Sequence, residues 1–329
     1  MTSTQAPVRW GIAGTGRIAQ QFVEGLRTVP DAEVVAIGSR TPGRAGAVAE
    51  ALGIPRAHDT RAELFADDDV DVVYVAGTAD EHHAATVAAL AAGRHVLCEK
   101  PLALSLGQAT AMVDAARAAD RFLMEAMWSR FLPVYLRLGE VLAAGRIGRP
   151  LVVEADFSFR VPTDDVAEHR LFDLSRGGGA LLDLGVYPLN LAAMVLGEPD
   201  RIAAVGTIGT TGVDERTAVV LGYPDGAVAR LGCSIRTSGT CSARIAGEQG
   251  TITIDPFMHA PTTLRVDTAE GTEVIEAEPP SLAHQVPEVH RCLRAGELES
   301  PTMPWSASLA MARICDEVGR QIGLRHPDG

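Results

Sequence analysis

Two short segments of the sequence contain residue types that can hold charge and move a proton. The first is Glu99-Lys100-Pro101, where a cation precedes the restricted backbone of a proline. The second runs from a triple glycine at 177–179 into Asp183 and Tyr187, which would share one face of a helix. A carboxylate, a phenol and an ammonium group together suit acid-base chemistry at a carbon that carries a hydroxyl or a carbonyl group. A loop lysine and a solvent-facing polar stripe are the alternatives.

A glycine-rich segment near the start of the chain has the spacing of a phosphate-binding loop. The pattern from Gly14 to Ala19 lies between a predicted strand, 8–13, and a predicted amphipathic helix, 17–26. Its glycines permit a tight turn and close approach of a pyrophosphate, and the helix N-terminus attracts negative charge. This context favours dinucleotide binding over a glycine turn without a ligand. The predicted contacts are Gly14, Thr15, Gly16, Arg17 and Ile18.

The second predicted strand ends in Gly38-Ser39-Arg40, where NAD-binding proteins usually have an acidic residue for the ribose 2′-hydroxyl. A hydroxyl beside a guanidinium, with Arg44 one helical turn later, suits a 2′-phosphate. Two solvated surface arginines are the alternative. The sequence therefore favours NADP as the cofactor, with NAD as the second choice.

An alternation of strand-like and helix-like patterns over the first third of the chain positions these groups. Such alternation predicts a parallel sheet with right-handed crossovers. Lys100 comes after the fifth strand, at the carboxyl edge where such a sheet binds its ligand. The predicted strands are 8–13, 33–37, one near 57, 70–76, 95–98 and 122–124, and the predicted helices are 17–26, 44–52, one opened by a capping box at 60–63, 83–92 and 105–119.

From residue 151 the sequence becomes rich in strand-forming residues, which are expected to pair antiparallel. One long helix interrupts the strands and another begins after residue 306. The fold class is therefore α/β, with a Rossmann doubly wound parallel sheet over 1–126 that binds NAD(P). An α+β domain over 127–329, with a large, mostly antiparallel open sheet, is expected to bind substrate and to form oligomers. The predicted elements of this part are strands 151–159, 202–207, 217–223 and 227–235, further strands to about residue 277, and the helix 180–196.

Length, charge and cysteine content limit the classes of function. With 329 residues the chain suits two domains. A formal net charge of −13 at pH 7 disfavours nucleic acids and anionic membranes as partners. The first residues show no secretory signal, so a cytoplasmic location is expected. The five cysteines lack the spacing of metal ligands, so we expect reduced core thiols and no metal.

These motifs together resemble the glucose-fructose oxidoreductase and inositol dehydrogenase family (Gfo/Idh/MocA) over nearly the whole chain. The residues that carry the resemblance are the loop 14–19, Thr78 with His83, the segment 93–101 and the segment 178–187. The resemblance implies an NAD(P)-dependent oxidoreductase. It also implies that Thr78, His83, Glu99, Lys100 and Arg160 contact the cofactor.

The segment 125–133 is most similar to the branch of that family that contains the dimeric dihydrodiol dehydrogenases and the NADP-dependent xylose 1-dehydrogenases. This similarity implies hydride transfer between a nicotinamide and a hydroxyl-bearing carbon of a sugar or cyclic polyol. The chain departs from the family at Tyr187, where inositol dehydrogenases carry histidine, and at Ala79, where proline is frequent. The first departure argues against inositol as the substrate.

Within that family the polar residues have distinct expected roles. Tyr187 would exchange the hydroxyl proton, and Lys100 would favour the phenolate and polarise the developing carbonyl. Asp183 would orient the substrate or Lys100. The expected pocket wall comprises Trp128, Phe131 and Phe159, and packing between domains is the alternative for Trp128 and Phe131.

Two other functions and one assembly stay open at this point. A protein of this fold can bind a dinucleotide as a sensor without turning it over. A reductase can instead act on an imine, a keto-sugar nucleotide or a bilin-like substrate. The apolar strands at 219–231 predict a homo-oligomer, a dimer or a tetramer, that forms through the open sheet.

Overall fold

The computed structural model describes residues 6–162 and 169–326. The chain forms two compact units. The first comprises Met1–Ala103, Gly107–Trp128 and Ser281–Ser308, and the second comprises Leu104–Leu106, Ser129–Pro280 and Leu309–Gly329. A segment near the C-terminus therefore belongs with the first unit, which the sequence analysis did not anticipate.

The described part of the chain contains fourteen strands and nine α-helices. The strands are β1 (Val8–Ala13), β2 (Ala32–Gly38), β3 (Arg56–His58), β4 (Val72–Val75), β5 (His95–Glu99), β6 (Leu123–Ala126), β7 (Pro150–Ser158), β8 (Arg201–Ile208), β9 (Asp214–Gly222), β10 (Val228–Ser234), β11 (Ala243–Gly247), β12 (Gly250–Ile254), β13 (Thr263–Thr268) and β14 (Gly271–Glu276). The helices are α1 (Arg17–Leu26), α2 (Arg44–Leu52), α3 (Arg61–Ala66), α4 (Ala79–Ala91), α5 (Leu106–Ala119), α6 (Pro133–Ala143), α7 (Val186–Leu196), α8 (Val286–Ala295) and α9 (Trp305–Ile322).

The first unit contains a six-stranded parallel sheet in the order β3-β2-β1-β4-β5-β6. The chain order reverses at β1, which lies between β2 and β4. This is the doubly wound arrangement that the alternating pattern predicted. In such a sheet the ligand crevice lies beyond the carboxyl ends of the strands at the reversal, so the ends of β1, β2 and β4 define the place to look for a nucleotide site.

An aromatic cluster holds α1 on this sheet. The rings of Phe22 on α1 and Tyr74 on β4 stack with centroids 3.8 Å apart, and Trp10 on β1 meets Phe22 edge-on at 5.4 Å. The indole Nε1 of Trp10 donates to Nε2 of His290 on α8 at 3.0 Å. Because all four side chains are buried, α8 packs into the first unit despite its late position in the sequence.

The second unit contains an eight-stranded sheet in the order β14-β13-β12-β11-β7-β10-β9-β8. Most neighbours are antiparallel, as predicted, but β7 and β10 are parallel, with Val152 opposite Val228. The expectation that all these strands pair antiparallel is therefore wrong at this position. The physical reason is the long connection after β7, which contains α7, because a parallel pair requires a crossover of a dozen or more residues.

The helix α4 begins at Ala79, four residues before the predicted start at His83. Thr78 precedes it in an extended conformation, and Asp80 and Glu81 occupy its first turn. Acidic side chains are favourable there because the helix N-terminus carries partial positive charge. The predicted helix began at residue 83, so Asp80 and Glu81 lay outside it, and the structure corrects its start.

The segment Leu174–Leu196 is long and apolar enough to cross a membrane by length and composition alone. Most of it is buried inside the protein. A buried core helix of a globular domain meets the same criterion, and the burial identifies the segment as a core element of the second unit.

The cysteine side chains all lie in the interior. The five cysteines are buried and free of disulfide bonds, as expected for reduced core thiols. Burial raises the pKa of the Cys98 and Cys233 thiols well above the ordinary range. Within residues 6–162 and 169–326, no cluster of His, Cys, Asp and Glu side chains is placed to hold a metal ion.

The aromatic cluster generates a stability prediction. We expect Phe22→Ala to lower the free energy of unfolding by about 3–5 kcal/mol, because it removes a fully buried ring and leaves a cavity under α1. The same deletion at Phe257, whose side chain is 59% exposed, should cost about 0.5 kcal/mol or less. Urea denaturation followed by fluorescence measures both, and equal costs for the two variants would contradict the assigned core.

Candidate active site

The phosphate loop between β1 and α1 leaves no room for a side chain on its sheet side. Gly14 has φ +145°, and a Cβ atom on it would lie 2.7 Å from the carbonyl oxygen of Ala76. A Cβ atom on Gly16, by contrast, would meet no atom within 4 Å. Because α1 begins at Arg17, its unpaired N–H groups lie next to this open space. The cradle fits the pyrophosphate of a dinucleotide.

The other predicted contacts of this loop differ in exposure. Thr15 is buried, Ile18 is half-buried and Arg17 is exposed at the first position of α1. The N–H group of Gly14 donates to the carbonyl of Gly38 at 3.0 Å, which ties the loop to the end of β2. The loop therefore presents backbone N–H groups and one exposed cation.

The end of β2 presents the residues predicted for the ribose. Ser39 is buried, and its Oγ accepts a hydrogen bond from the N–H of Thr41 at 3.2 Å. Arg40 and Arg44 are exposed, and Arg44 begins α2. Arg40 forms an ion pair with the buried carboxylate of Glu81. Glu81 was not a predicted partner, because the predicted start of α4 lay after residue 81.

A buried histidine ties α4 to the segment after β5. Nδ1 of His82 lies 2.8 Å from the carbonyl oxygen of Pro101, and Nε2 lies 3.3 Å from that of Gly77. Burial lowers the pKa of His82, which favours a neutral ring that donates to Pro101. Of the predicted pair, Thr78 caps α4 and His83 is half-buried in its first turns. His82, beside His83, is the residue that positions the lysine segment.

Buried carboxylates hold the segment around Lys100 from two strands. Glu99 accepts hydrogen bonds from the Tyr74 hydroxyl and, at 3.2 Å, from the N–H of Lys100. Oε1 of Glu125 on β6 accepts from the N–H of Leu102 at 3.0 Å. The Lys100–Pro101 peptide bond is cis. The backbone on both sides of this bond is thus fixed by acceptors that are themselves buried.

The other catalytic candidates lie at an irregular turn of the second unit. Leu181–Gly185 forms a π-helical turn that continues into α7, so Asp183 lies on the π turn and Tyr187 on the α-helix. The predicted regular helix from Ala180 is corrected here. A Cβ atom on Gly185 would lie 3.0 Å from Sγ of Cys233, so the turn packs tightly on β10. π turns of this kind occur frequently at functional sites.

A buried aspartate holds the start of this turn. Oδ2 of Asp214 accepts from the N–H of Leu181 at 2.9 Å and from Oγ1 of Thr217 at 2.7 Å. Gly179 has φ +118°, and a Cβ atom on it would lie 2.3 Å from Oδ1 of Asp214. Burial raises the pKa of Asp214 to about 6. The last glycine of the triple glycine is therefore required for contact with a carboxylate that the sequence analysis did not identify.

Arg170, which like Asp214 had no predicted role, contacts Asp183. The guanidinium of Arg170 lies 3.2 and 3.3 Å from the two carboxylate oxygens of Asp183, in a two-pronged contact. Such paired geometry fixes the orientation of the carboxylate. One indication of such a contact was present in the sequence, because Arg170 lies on the loop that leads into the triple glycine, close to Asp183 along the chain.

Aromatic rings surround Tyr187. Its ring meets those of Phe157 and His259 edge-on, each with centroids 5.5 Å away, and Phe157 and His259 stack at 4.2 Å. The hydroxyl of Tyr135 donates to the carbonyl of Met258 at 2.6 Å, which holds the chain next to His259. Phe159, predicted for the pocket wall, lies 6.0 Å from Phe157. His259 gave no signal in the sequence because it is brought in from a distant loop.

The remaining predicted residues lie on a short turn and at the end of a strand. Trp128 and Phe131 belong to one 3₁₀ turn, in which Trp128 is half-buried and Phe131 is buried. Arg160 is exposed after β7. Within the same turn Nε of Arg130 donates to Oδ1 of Asn190 on α7 at 2.6 Å, which joins the turn to the helix that carries Tyr187.

Comparison with known proteins assigns both parts of the chain to one family. Residues 8–127 match the family described as "Oxidoreductase family, NAD-binding Rossmann fold", and residues 135–253 match the GFO/IDH/MocA C-terminal domain. The chain belongs to the Gfo/Idh/MocA oxidoreductase family. The predicted family is thus confirmed, and this Gfo/Idh/MocA protein is an NAD(P)-dependent oxidoreductase that acts on CH–OH groups.

Relatives of this Gfo/Idh/MocA protein match it along nearly the whole chain. It is 37% identical to trans-1,2-dihydrobenzene-1,2-diol dehydrogenase of Mus musculus, over 97% of this chain and 98% of that protein. The solved structure of an aldose-aldose oxidoreductase from Caulobacter crescentus, complexed with glycerol, has a TM-score of 0.86 at 26% identity over 96% of this chain and 97% of that chain. A 3-ketoreductase from Actinomadura kijaniata in complex with NADP and TDP-benzene has a TM-score of 0.84 at 28% identity, over 96% and 98%.

Asp214 generates a prediction about pH and stability. Because burial raises its pKa from 3.8 to about 6, the native protein binds this proton more tightly than the unfolded chain does. Its contribution to stability is therefore full below pH 3.8 and is lost as the pH rises to about 6. The asparagine variant Asp214→Asn lacks this titration. We expect the stability difference, wild type minus variant, to fall by about 2.4 kcal/mol between pH 4 and pH 7.

The measurement is urea denaturation of both proteins at several pH values across that range. Asp225→Asn is the control, because it makes the same chemical change at a carboxylate in an exposed turn. A constant difference between wild type and Asp214→Asn would show that Asp214 titrates as an ordinary carboxyl group.

Proposed function

We propose that this protein is an NADP-preferring dehydrogenase that moves a hydride between the nicotinamide and a hydroxyl-bearing carbon of a sugar or a cyclic diol. The observation that carries the proposal is that Lys100 is the only lysine among the 29 lysine and arginine residues of the chain. Every other such cation is an arginine, so position 100 needs the compact ammonium that a planar guanidinium cannot replace. The names of the relatives, a diol dehydrogenase and a sugar oxidoreductase, supply the substrate class.

The proposed mechanism assigns one task to each polar residue. The cofactor supplies the hydride acceptor or donor when bound. Lys100 holds a positive charge that stabilises negative charge as it develops on the substrate oxygen. Tyr187 exchanges the hydroxyl proton as acid and base. Asp183, which Arg170 keeps oriented, positions the substrate hydroxyl.

The preference for NADP rests on the end of β2. Ser39, Arg40 and Arg44 offer one hydroxyl and two exposed guanidinium groups there, and no carboxylate follows β2 directly. The Actinomadura 3-ketoreductase, which has a similar structure, binds NADP. The proposed cofactor contacts are Gly14, Thr15, Gly16, Arg17, Ile18, Ser39, Arg40, Arg44, Thr78, His83, Glu99, Lys100 and Arg160.

The rings around Tyr187 suit a cyclic substrate. Phe157 and His259 pack against the ring of Tyr187, and an aromatic surface of this kind packs well against the face of a sugar or a diol ring. Trp128, Phe131 and Phe159 are proposed as further wall residues. Sugars and cyclic diols both contain such a ring, so the aromatic surface is compatible with either class of substrate. The assay below distinguishes between them.

The oligomeric assembly, the cellular location and the roles of the two predicted domains are also proposals. The eight-stranded sheet carries exposed valines on three strands, Val205, Val220 and Val274, and a second copy of the chain would cover such a face. We propose a cytoplasmic homo-oligomer that forms through this sheet. Residues 1–126 are proposed to bind the cofactor, and residues 127–329 to bind substrate and to associate.

A reductase for a keto-sugar nucleotide is the second candidate. It is favoured by the similarity to the 3-ketoreductase solved with TDP-benzene. The net charge of −13 speaks against a bulky anionic substrate, since such a substrate requires a local basic pocket. An aldose or a cyclic diol has no such requirement.

The test of the proposed function is a 340 nm absorbance assay of the purified protein. NADP and NAD are each offered with pyranoses, inositols and cyclic diols, and NADPH is offered with keto-sugar nucleotides. Turnover with NADP on a pyranose or a diol is the expected result. Turnover on keto-sugar nucleotides alone would favour the second candidate, and tight cofactor binding without any turnover would make the protein a sensor.

Two variants of Lys100 test its assignment. We expect Lys100→Met and Lys100→Arg each to lower kcat by a factor of about 10² to 10⁴, because neither places an ammonium at the substrate oxygen. Arg137→Met is the control, since it removes an exposed cation on α6 and should leave kcat unchanged. Wild-type kcat in folded Lys100→Arg would overturn the argument from the single lysine.

The single lysine also permits a direct measurement of its surroundings. Reductive methylation with ¹³C-formaldehyde labels only Lys100 and the N-terminal amine, so the NMR spectrum contains one lysine signal. We expect this signal to shift on addition of NADP, because the bound nicotinamide would lie next to the ammonium group. A signal that stays in place at saturating NADP would remove Lys100 from the cofactor site.

A further inference from the structure

A buried ion cluster lies beside the proposed nucleotide site. Glu81 on α4 forms ion pairs with Arg40, which comes after β2, and with Arg61, which begins α3. The exposed fraction of the side chain is 7% for Glu81 and 15% for Arg61, against 65% for Arg40. The cluster therefore links a buried carboxylate to the exposed guanidinium that is proposed to bind the 2′-phosphate.

The cluster occupies the same edge of the sheet as the phosphate loop. Gly14 is fixed between Gly38 at the end of β2 and Ala76 after β4. The next residue, Gly77, leaves just enough space for the cluster, because a Cβ atom on it would lie 2.5 Å from Oε2 of Glu81. The strand ends that hold the loop thus also hold Glu81. A ligand bound by the loop experiences the charge of this carboxylate.

The charges of the cluster are unfavourable for a 2′-phosphate. A phosphate monoester carries about −1.5 to −2 charge at neutral pH, which two guanidinium groups would balance. The single negative charge of Glu81 already neutralises one of the two positive charges on Arg40 and Arg61. The buried carboxylate of Glu81 stays ionised because both arginines pair with it. A ligand that took Arg40 away would leave that buried charge less well compensated, which costs free energy. Burial and the charge of Arg40 also lower the pKa of Arg61.

Arg61 has unused hydrogen-bonding capacity. In residues 6–162 and 169–326, no acceptor lies within hydrogen-bond distance of its buried Nε. Removal of the charge on Glu81 would therefore leave two unneutralised cations, the exposed Arg40 and the mostly buried Arg61 with a spare donor.

We propose that Glu81 is a cofactor-specificity residue. Its carboxylate occupies Arg40 and Arg61 and lowers the affinity for the 2′-phosphate of NADP, so the enzyme retains the use of NAD beside its preferred NADP. This inference rests on the proposed role of Arg40 at the 2′-phosphate. Glu81 on α4 would thus weaken NADP binding, whereas the residues after β2 would strengthen it.

The test compares the dissociation constants of NADPH and NADH by nucleotide fluorescence, independent of any turnover. We expect Glu81→Gln, which keeps the shape and an acceptor for Arg61, to tighten NADPH binding by about fivefold or more. NADH binding should change by less than about twofold, because NADH has no charge at the 2′-position. Glu50→Gln removes an exposed carboxylate on α2 and is the matched control, with both constants unchanged.

A double-mutant cycle identifies the route of the effect. In an Arg40→Ala background Glu81→Gln should tighten NADPH binding by less than about twofold, because the exposed guanidinium is then absent and the side chain of Arg61, the other partner of Glu81, is only 15% exposed. An equal gain in both backgrounds would overturn the route through Arg40. An unchanged ratio of the two constants in Glu81→Gln would overturn the proposal as a whole.

A second variant covers the case in which Glu81→Gln does not fold. Arg61→Met combined with Glu81→Met replaces the buried pair by apolar side chains and still releases Arg40. It should shift the ratio of the constants in the same direction, and a ratio equal to that of the wild type would overturn the proposal. A wild-type protein that binds neither nucleotide would instead refute the proposed function.

Discussion

The close approach of Gly14 to the carbonyl of Ala76 is the constraint on which the nucleotide-binding unit depends. With 2.7 Å between that oxygen and the position of a Cβ atom, only glycine lets β1 turn into α1 at this point. The turn brings the ends of β1, β2 and β4 together. The open space at Gly16 and the ion cluster around Glu81 are then neighbours on one edge of the sheet. One backbone contact thereby orders both the cradle for a pyrophosphate and the charges beside it.

Buried carboxylates position the polar residues in both units. Glu99 and Glu125 hold the backbone on either side of Pro101, and Asp214 holds the first N–H group of the π turn that carries Asp183. Each carboxylate is desolvated, which is costly unless hydrogen bonds compensate. The donors are backbone N–H groups and, for Glu99 and Asp214, also the hydroxyls of Tyr74 and Thr217. The two candidate segments are thus fixed through their main chains.

Features that depend on local sequence were predictable. The capping box at Thr60 and Glu63 forms as predicted. The predicted strands 217–223 and 227–235 are joined by a tight turn, in which Gly226 has φ +87° and its N–H donates to the carbonyl of Tyr223. The helix α1 has the predicted bounds because its apolar residues recur at helical spacing. The start of α4 was missed for a related reason, since acidic residues in the first turn of a helix and polar residues of a loop have the same local composition.

The sequence by itself determined the family, the doubly wound sheet, the phosphate loop and the identity of Lys100, Asp183 and Tyr187 as the polar residues of interest. These conclusions rest on motifs whose chemistry is contained within a few neighbouring residues. Only the tertiary structure decided that β7 pairs in parallel with β10 and that α8 joins the first unit. It also decided which distant residues contact the candidate residues within each unit: Glu81 at Arg40 in the first, and Arg170 at Asp183, Asp214 under the π turn and His259 against Tyr187 in the second. Burial and contact across long sequence separations create these pairs, and neither periodicity nor spacing along the chain carries that information.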